Sequence, residues 1–257
     1  MARMFVTGSA DGLGLMAAKL LIQQGHNVVL HARNDVRAEV ARKGAPGAEG
    51  VIVGDFSTLA EMKTVAEKAN ASGRFDAVIH NAALGDKEPR RVETADGFAQ
   101  VFAVNSLAPF VLTALMKRPK RLVYLSSGLH QSGDPSLKDV LWKERKWNGS
   151  QAYCDSKLHD VLLAFAVARR WPEVYSNAVE PGWVATKMGG PSATDDLSKG
   201  HLTQVWLAVG EDEGARVSGE YWFHLKRRKV LAAARDEKTQ DRFVEICQRL
   251  SEVKIPA

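Results

Sequence analysis

Hydrophobic residues recur along the chain in two alternating patterns. Short apolar runs bounded by turn residues predict strands at residues 4–6, 27–30, 51–53, 77–79, 121–125, 175–179 and 220–223. Between these runs, apolar residues at helical spacing predict helices over residues 13–24, 60–69, 98–116, 152–169, 202–209 and 238–250. Because parallel neighbours need long crossovers, this alternation predicts a doubly wound α/β fold, with a mostly parallel sheet and helices on both faces.

The chain shows no sign of division into several units. No internal repeat, low-complexity block or linker interrupts it, which favours a single domain over residues 1–257. The predicted helix over residues 98–116 contains Pro109. We expect a kink or a break there, because proline cannot donate a hydrogen bond to the preceding turn.

Composition narrows the class of protein. The 257 residues include 35 Lys and Arg against 30 Asp and Glu, a formal charge of +5, and 45% of them are hydrophobic. These values are typical of a globular protein and exclude a disordered, collagenous or coiled-coil chain. The longest uninterrupted apolar run, residues 161–168, is far shorter than the ~20 residues of a membrane span.

Three further features bear on location and partners. The N-terminus runs from Met1 and Arg3 directly into the first apolar segment, which leaves no room for an export signal. Cys154 and Cys247 lack metal-ligand spacing, so we expect free thiols, no metal site and a cytoplasmic protein. The basic run at residues 226–229 has no interleaved aromatic residues, and we interpret it as exposed surface rather than a nucleic-acid site.

A glycine-rich turn follows the first predicted strand and opens the first predicted helix. Gly8 permits a sharp turn, Gly12 lets the backbone approach a pyrophosphate, and Gly14 lets the helix pack closely on the sheet. The helix N-terminus then faces the anion. We therefore predict a dinucleotide site, against the alternative of a glycine-rich loop without a ligand. The candidate contacts in this turn are Gly8, Ser9, Asp11, Gly12, Leu13 and Gly14.

The end of the second predicted strand indicates which dinucleotide is bound. An NAD-selective site presents a carboxylate there to the ribose 2′-hydroxyl, but this strand ends in His31-Ala32-Arg33-Asn34. Arg33 offers a cation that can bind a 2′-phosphate in a bidentate way, which favours NADP(H) over NAD(H). The alternative is an ordinary surface arginine. Asp11 is a contrary charge near the same pocket and weakens this preference.

Tyr153 and Lys157 lie four residues apart, hence on one face of a predicted helix. A tyrosine with a pKa of ~10 is a poor acid or base near neutral pH, and a neighbouring ammonium can lower that pKa. We interpret the two as an acid/base and its electrostatic partner, against the alternative of a surface pair. Ser126 and Ser127 end the fifth strand, at the sheet edge where ligands bind, and one of them is expected to polarise a substrate carbonyl.

Taken together, these segments resemble the short-chain dehydrogenase/reductase family over nearly the whole chain. The pattern is most similar to the branch that contains retinol dehydrogenases and the WW-domain oxidoreductase. The resemblance implies a Rossmann fold and an NADP(H)-dependent oxidoreductase that transfers a hydride between nicotinamide and a carbonyl or alcohol substrate. A catalytically silent NADP(H)-binding sensor or scaffold is the alternative. The motifs that carry the resemblance are Thr7 to Gly14, His80-Asn81-Ala82-Ala83, Asn105, Ser127, Tyr153 with Lys157, and Pro181 to Thr186.

The resemblance also implies roles for individual residues. Tyr153 would be the acid/base, Lys157 the partner that adjusts its pKa, and Ser127 the donor to the carbonyl oxygen. Asn105 would hold a proton-relay water beside Lys157. The remaining residues implied along the cofactor are Asp55, with Phe56 beside it, at the adenine; Asn81 and Ala82 below the sheet edge; and Pro181, Gly182, Val184 and Thr186 near the nicotinamide. For Asn105 and Asp55 taken alone, a helix-interior polar residue or a loop cap is the simpler interpretation.

The sequence departs from the family pattern in two places. His80 and Ala83 stand where the family more often has Asn and Gly. Tyr153 lies 26 positions after Ser127, a distance that predicts an inserted loop at 128–150, and residues 187–199 predict a substrate loop. Trp142 and Trp147 in the first loop could anchor it or contact the substrate.

The resemblance further suggests a homodimer or homotetramer. Its interface would be formed by the predicted helices at residues 98–116 and 152–169.

Overall fold

The computed structural model describes residues 1–256, which contain one eight-stranded sheet. Its strands are β1 (Arg3–Val6), β2 (Asn27–Ala32), β3 (Gly50–Val53), β4 (Ala77–His80), β5 (Arg121–Leu125), β6 (Tyr175–Glu180), β7 (Tyr221–Phe223) and β8 (Lys226–Arg227). The strand order is β3-β2-β1-β4-β5-β6-β7-β8. All neighbours as far as β7 are parallel, and β8 pairs antiparallel with β7 in a hairpin.

The helices alternate with these strands along the chain. They are α1 (Gly12–Gln23), α2 (Asp35–Gly44), α3 (Leu59–Ala71), α4 (Gln100–Phe102), α5 (Ala108–Leu115), α6 (Gly149–Arg170), α7 (Leu202–Val209) and α8 (Glu237–Ser251). This arrangement confirms the predicted doubly wound α/β fold. Within residues 1–256, none of the helices is both long and apolar enough to span a membrane.

The core lies in two layers because successive strand residues point to opposite faces of the sheet. Phe5 and Val29 face α3, α5, α6 and α8, whereas their neighbours Met4 and Val28 face α1, α2 and α7. The strands are therefore apolar on both sides, as a parallel sheet covered by helices requires.

Pro109 marks the predicted break. A π-helical turn, Ala103–Leu107, separates α4 from α5, and Pro109 lies in the first turn of α5. Proline is tolerated in a first turn because the missing N–H has no partner there.

Two elements are absent from the predicted set. Helix α2 buries only Ala38 and Ala41, so its apolar pattern is weak, and its N-terminus is defined by the Asn34 side chain, which accepts from the N–H of Arg37 at 2.9 Å. The two-residue strand β8 consists of Lys226 and Arg227, both exposed, and carries no apolar signal.

Helix α8 covers the surface expected to form an oligomer interface. Almost all of α5 and most of α6 are buried within this one chain. On α8, Phe243 stacks on His159 of α6 with ring centroids 4.7 Å apart, and Asp241 accepts from Arg170 at 2.6 Å. The chain's own C-terminal helix thus occupies part of that surface, and the interface expected at these helices stays a prediction.

Candidate active site

A cavity of about 490 Å³ opens at the carboxyl ends of the central strands. It lies where the strand order reverses between β1 and β4, the usual ligand site of an open α/β sheet. The predicted site residues that line it are Gly8, Asp11, Gly12, Leu13, Arg33, Asp55, Phe56, Asn81, Ala82, Tyr153, Lys157, Pro181 and Thr186.

The glycine-rich turn forms one wall of this cavity. Gly8 has a φ of +62°, and a Cβ there would lie 2.7 Å from the Cα of Ala82, so both backbone conformation and close approach require glycine. A Cβ on Gly14 would collide with the Asn81 side chain. The N-terminus of α1 opens beside the cavity with free backbone N–H groups, an arrangement suited to an anion.

Thr7 and Asn81 join the turn to the end of β4. The hydroxyl oxygen of Thr7 accepts from the backbone N–H groups of Asn81 at 2.9 Å and of Ala82 at 3.0 Å. The Asn81 amide donates to the carbonyls of Thr7 at 2.9 Å and of Gly8 at 3.1 Å. Asn81 therefore supports the turn as well as lining the cavity. Thr7 also supports the turn, although it was not among the predicted site residues.

His31 supports the same turn from the side of β2. Its Nδ1 accepts from the N–H of Gly8 at 3.0 Å, and its Nε2 contacts the carbonyl of Gly54 at 2.9 Å. The ring stacks on Phe56 with centroids 4.2 Å apart. Burial lowers the pKa of His31 to about 4, so the ring is neutral at physiological pH. Asp55 lies beside this stack and accepts from the N–H of Ser57 at 2.9 Å.

Cationic side chains surround the cavity near the end of β2. Arg33 is exposed at the rim, and Arg37 extends from the first turn of α2. Asp11 forms ion pairs with Arg37 at 2.6 Å and with Lys187 at 3.1 Å. Burial raises the pKa of the Asp11 carboxyl, but these two partners outweigh it and the net pKa lies below its usual value. The contrary charge of Asp11 is thus neutralised within the chain.

Tyr153 and Lys157 meet on the cavity side of α6, with Lys157 Nζ 5.6 Å from the centre of the Tyr153 ring. Lys157 Nζ donates to the carbonyl of Leu125 at 2.7 Å and to Asp160 Oδ2 at 2.8 Å. Burial would lower the pKa of Lys157, but the negative charge of Asp160, together with Tyr153, more than compensates and the pKa lies above its usual value. Lys157 is therefore a charged ammonium.

The protein's own groups keep the phenol of Tyr153 neutral. Burial raises its pKa, and the charge of Lys157 and a hydrogen bond with Ser127 oppose this effect without cancelling it. Lys157 thus acts on Tyr153 with the expected sign, but burial is the larger effect. A further positive charge near the phenol is needed to bring its pKa towards neutrality.

The two serines at the end of β5 have different partners. The Ser126 hydroxyl is buried and donates to the carbonyl of Lys157 at 2.7 Å, which ties the strand to α6. Ser127 is partly exposed and its side chain hydrogen bonds with Tyr153. Ser127 thus bonds to the phenol, whereas Ser126 is the one of the two serines that lines the cavity.

Several predicted site residues lie outside the cavity lining. Ser9 is buried and donates to the carbonyl of Val6 at 2.8 Å. Asn105 is also buried: its amide contacts the backbone of Leu84 at 2.7 and 3.0 Å and the hydroxyl of Ser156 at 3.0 Å. These bonds tie Asn105 to Leu84 and to the residue before Lys157, and its role towards a water stays a prediction. The others outside the lining are Gly14, Gly182, Val184 and Ser127.

The loop at residues 133–148 is anchored by its tryptophans. Trp142 is buried and meets Trp147 edge to face, with centroids 5.3 Å apart. The Trp147 indole N–H donates to the carbonyl of Glu88 at 2.9 Å, and Arg145 lies over Trp142 while donating to Asp155. Neither tryptophan lines the cavity, so anchoring is the interpretation that the structure favours.

The loop that follows β6, residues 181–196, approaches the glycine-rich turn from the opposite side. Thr186 and Met188 line the cavity, and Lys187 reaches Asp11 across it. Sequence reasoning missed Lys187, Arg37 and His31 as parts of the site. Arg37 lies in the first turn of α2, four residues after Arg33, and its position becomes visible only once α2 is recognised.

Comparisons with known proteins agree with this architecture. A family model described as Enoyl-(Acyl carrier protein) reductase matches residues 8–208. An uncharacterized oxidoreductase of Emericella nidulans is 44% identical and covers 100% of this chain and 99% of that protein. Short-chain dehydrogenase chyC of Penicillium rubens is 42% identical over 100% of both chains. Retinol dehydrogenase 13 of Homo sapiens is 31% identical, with 98% of this chain and 85% of that protein covered.

Solved structures share the fold at lower identity. A protein from Mycobacterium Paratuberculosis superposes with a TM-score of 0.86 at 22% identity, covering 100% of this chain and 96% of that one. A short-chain dehydrogenase from Shigella flexneri, complexed with NADP, has a TM-score of 0.68 at 22% identity, covering 88% and 97%. The chain belongs to the short-chain dehydrogenase/reductase family of oxidoreductases. The predicted resemblance to the retinol-dehydrogenase branch is confirmed.

Proposed function

We propose that this protein is an NADP(H)-dependent oxidoreductase that interconverts a carbonyl and an alcohol, with Tyr153 as the acid/base. The observation that carries the proposal is the juxtaposition of Tyr153 and Lys157, with Ser127 beside the phenol, in the wall of a cavity that the glycine-rich turn also lines. This is the pairing of a proton-transfer group with a dinucleotide cradle that the reaction needs.

The residues present fit a dinucleotide. The turn at Gly8 has room for backbone approach but none for a side chain, and the N-terminus of α1 opens towards the same space. Asp55 and Phe56 lie at the end of the cavity assigned to the adenine, and Pro181, Gly182, Val184 and Thr186 belong to the segment assigned to the nicotinamide.

A 2′-phosphate is the feature of the cofactor that these side chains favour. The end of β2 carries Arg33 and no carboxylate, and Arg37, in the first turn of α2, adds a second cation to the cavity wall. The Shigella flexneri neighbour was solved with NADP, which is consistent with this preference at the level of the shared fold. Two cations and a neutralised Asp11 make NADP(H) the proposed cofactor.

The nicotinamide supplies or accepts the hydride when bound. In reduction, the Tyr153 hydroxyl donates the proton to the carbonyl oxygen, and the Ser127 hydroxyl stabilises the negative charge that develops there. Lys157 keeps a positive charge beside the phenol, which favours the phenolate that proton donation leaves behind. Asn105 would support this site by holding the backbone of Leu84, a residue of the cavity wall.

The substrate class follows from this proton-transfer arrangement and from the relatives. A retinol dehydrogenase is 31% identical over 98% of the chain, which supports an alcohol or carbonyl as the reacting group. Exposed Leu129, Trp183 and Met188 adjoin the Ser127 and nicotinamide segments and offer an apolar surface to the rest of the substrate.

The test is turnover with a panel of carbonyls and NADPH, and of alcohols and NADP⁺, followed by absorbance of the reduced cofactor. We expect Tyr153→Phe to lower kcat by about 10²- to 10⁴-fold, while the Kd for NADPH stays within a few fold. Wild-type protein that binds NADPH but turns over no member of either panel would contradict the enzymatic proposal.

A further inference from the structure

A second buried charge lies next to Lys157. Asp160 follows it by three residues on α6, and both side chains are 3% exposed. The distance from Lys157 Nζ to Asp160 Oδ2 is 2.8 Å. Asp160 belongs to none of the sequence motifs described above. It directly precedes the apolar run at residues 161–168, and it does not line the cavity.

The geometry fixes where the ammonium sits. An ammonium has three N–H donors, and here one is bonded to Asp160 and a second to the carbonyl of Leu125 at 2.7 Å. The third remains for the cavity side, where Tyr153 lies. Asp160 and Leu125 therefore act as two fixed points that direct the remaining donor towards the site.

The charge balance explains why a carboxylate is needed there. A lysine buried without a partner gives up its proton, since desolvation disfavours the ammonium. Burial acts on Lys157 in this direction, and the negative charge of Asp160 reverses the outcome. Burial also raises the pKa of Asp160, to about 6, so the ion pair persists above that pH.

We propose that Asp160 is a positioning residue that keeps Lys157 charged and fixed beside Tyr153, and thereby determines the pH above which this pair stops delivering a proton. The proposal rests on the function proposed above for Tyr153. It extends that function by adding a residue that touches neither substrate nor cofactor.

Few other ionisable groups face Asp160. Tyr153 shares its helix, and Tyr124 faces it from β5. Burial raises the pKa of Tyr124 far above neutrality, and burial lowers the pKa of His80, stacked behind Tyr124, to about 3. Neither residue changes charge between pH 7 and pH 10, so a change in that range reports on Lys157 and Tyr153.

The first experiment needs no substrate: the Tm of wild type and of Asp160→Asn is measured from pH 7 to pH 10. In the variant, the folded-state pKa of Lys157 falls below the unfolded value of about 10.4, so stability is gained as pH rises through this range. We expect the Tm difference between the two proteins to shrink by at least about half by pH 10. A role in packing alone gives the same difference at every pH.

The second experiment follows NADPH consumption with a carbonyl from the panel that wild type reduces. Reduction needs Tyr153 protonated and Lys157 charged. Without the negative charge of Asp160, the first of the two protons on Tyr153 and Lys157 is lost at a lower pH. We expect the alkaline limb of the kcat/KM profile to move at least about one pH unit lower in Asp160→Asn. Asp160→Glu, which keeps the charge, is expected to restore it.

Asp241→Asn is the matched control, because Asp241 also pairs with cations on α6, namely Arg169 and Arg170. Its Tm difference from wild type is expected to be independent of pH between 7 and 10. If Asp160→Asn does not fold, Asp160→Ser replaces it, since the smaller side chain leaves room for water. A pH-independent Tm difference overturns the proposal, and so does an alkaline limb that does not move. If wild type shows no turnover, the proposed function is contradicted instead. The Tm measurements then still test whether Asp160 keeps Lys157 charged.

Discussion

The imidazole of His31 holds the backbone of Gly8, the first glycine of the cofactor turn. Nδ1 accepts from the Gly8 N–H at 3.0 Å, so Nε2 carries the proton and donates to the carbonyl of Gly54 at 2.9 Å. A single neutral tautomer satisfies both bonds. Because burial lowers the pKa of His31 to about 4, this tautomer persists at neutral pH and links the ends of β1, β2 and β3.

Replacement of His31 by leucine removes both bonds while keeping an apolar side chain of similar size. The Gly8 N–H is then left without a partner, which costs about 1–3 kcal/mol. We expect the Kd for NADPH, measured by fluorescence titration, to rise about tenfold or more. His26→Leu is the control, since His26 accepts from the N–H of Ala2 at the opposite end of the same strand. Equal losses in the two variants would mean that His31 affects stability rather than the turn.

The choice between NADPH and NADH is expected to depend on two arginines. Arg33→Ala and Arg37→Ala each remove a cation from the wall assigned to the 2′-phosphate, and a charge-assisted hydrogen bond contributes about 1.5–3 kcal/mol. We expect the Kd for NADPH to rise about 10- to 100-fold in each variant, with little change for NADH.

The matched control for these arginines is Arg42→Ala. Arg42 is exposed on the same helix, α2, and pairs with Glu39 there. Parallel losses of NADPH and NADH affinity in Arg33→Ala would show that this residue does not discriminate between the cofactors.

Most of the fold could be predicted because the strands and helices carry strong apolar periodicity. The alternation of Met4 and Phe5 between the two faces of the sheet is repeated in every central strand, and it specifies a covered parallel sheet. Helix α2 escaped prediction because its single turn of buried residues, Ala38 and Ala41, is too short to establish a period. Because α2 was not predicted, Arg37 could not be assigned to the cofactor site.

The site was less accessible to sequence reasoning, because burial and hydrogen bonding depend on packing. Tyr153 and Lys157 could be paired by spacing alone, but the raised pKa of the phenol comes from its burial under the surrounding chain. The Asn105 amide bonds to Leu84, which lies 21 residues earlier in the chain, and this partner was not predicted. Contacts between such distant residues have no local signature.

Acid is expected to destabilise the protein through three buried histidines. Burial lowers the pKa of His31 to about 4, of His80 to about 3 and of His159 to about 4. Each folded-state pKa lies below the unfolded value of about 6.5, so the stability is present above pH 6.5 and is lost as pH falls towards 4. The loss is about 3 kcal/mol per histidine. The raised pKa of Asp160 has the opposite effect. Because it lies above the unfolded value, the protein loses stability as pH rises towards 6 and regains it as pH falls.

His80→Leu tests this balance by urea unfolding at pH 7 and pH 4.5. His80 Nδ1 has no hydrogen-bond partner among residues 1–256 and Nε2 has one, the Thr113 hydroxyl at 3.3 Å, so the variant loses few hydrogen bonds at pH 7. We expect the acid-induced fall in the free energy of unfolding to be smaller than in wild type by about 3 kcal/mol. An identical fall in both proteins would show that His80 takes up no proton on unfolding.

Helix α8 covers part of α6, and Phe243 is the side chain through which this packing can be tested. Phe243 is fully buried and stacks on His159, and its neighbour Cys247 is buried as well. Phe243→Ala is expected to lower the free energy of unfolding by about 3–5 kcal/mol. Light scattering coupled to size exclusion is expected to show stronger concentration-dependent association of the variant than of wild type, because loosening α8 exposes the apolar side of α6. Glu245→Ala, on the exposed face of α8, is expected to behave as wild type. Equal association of the Phe243→Ala variant and wild type would contradict this expectation.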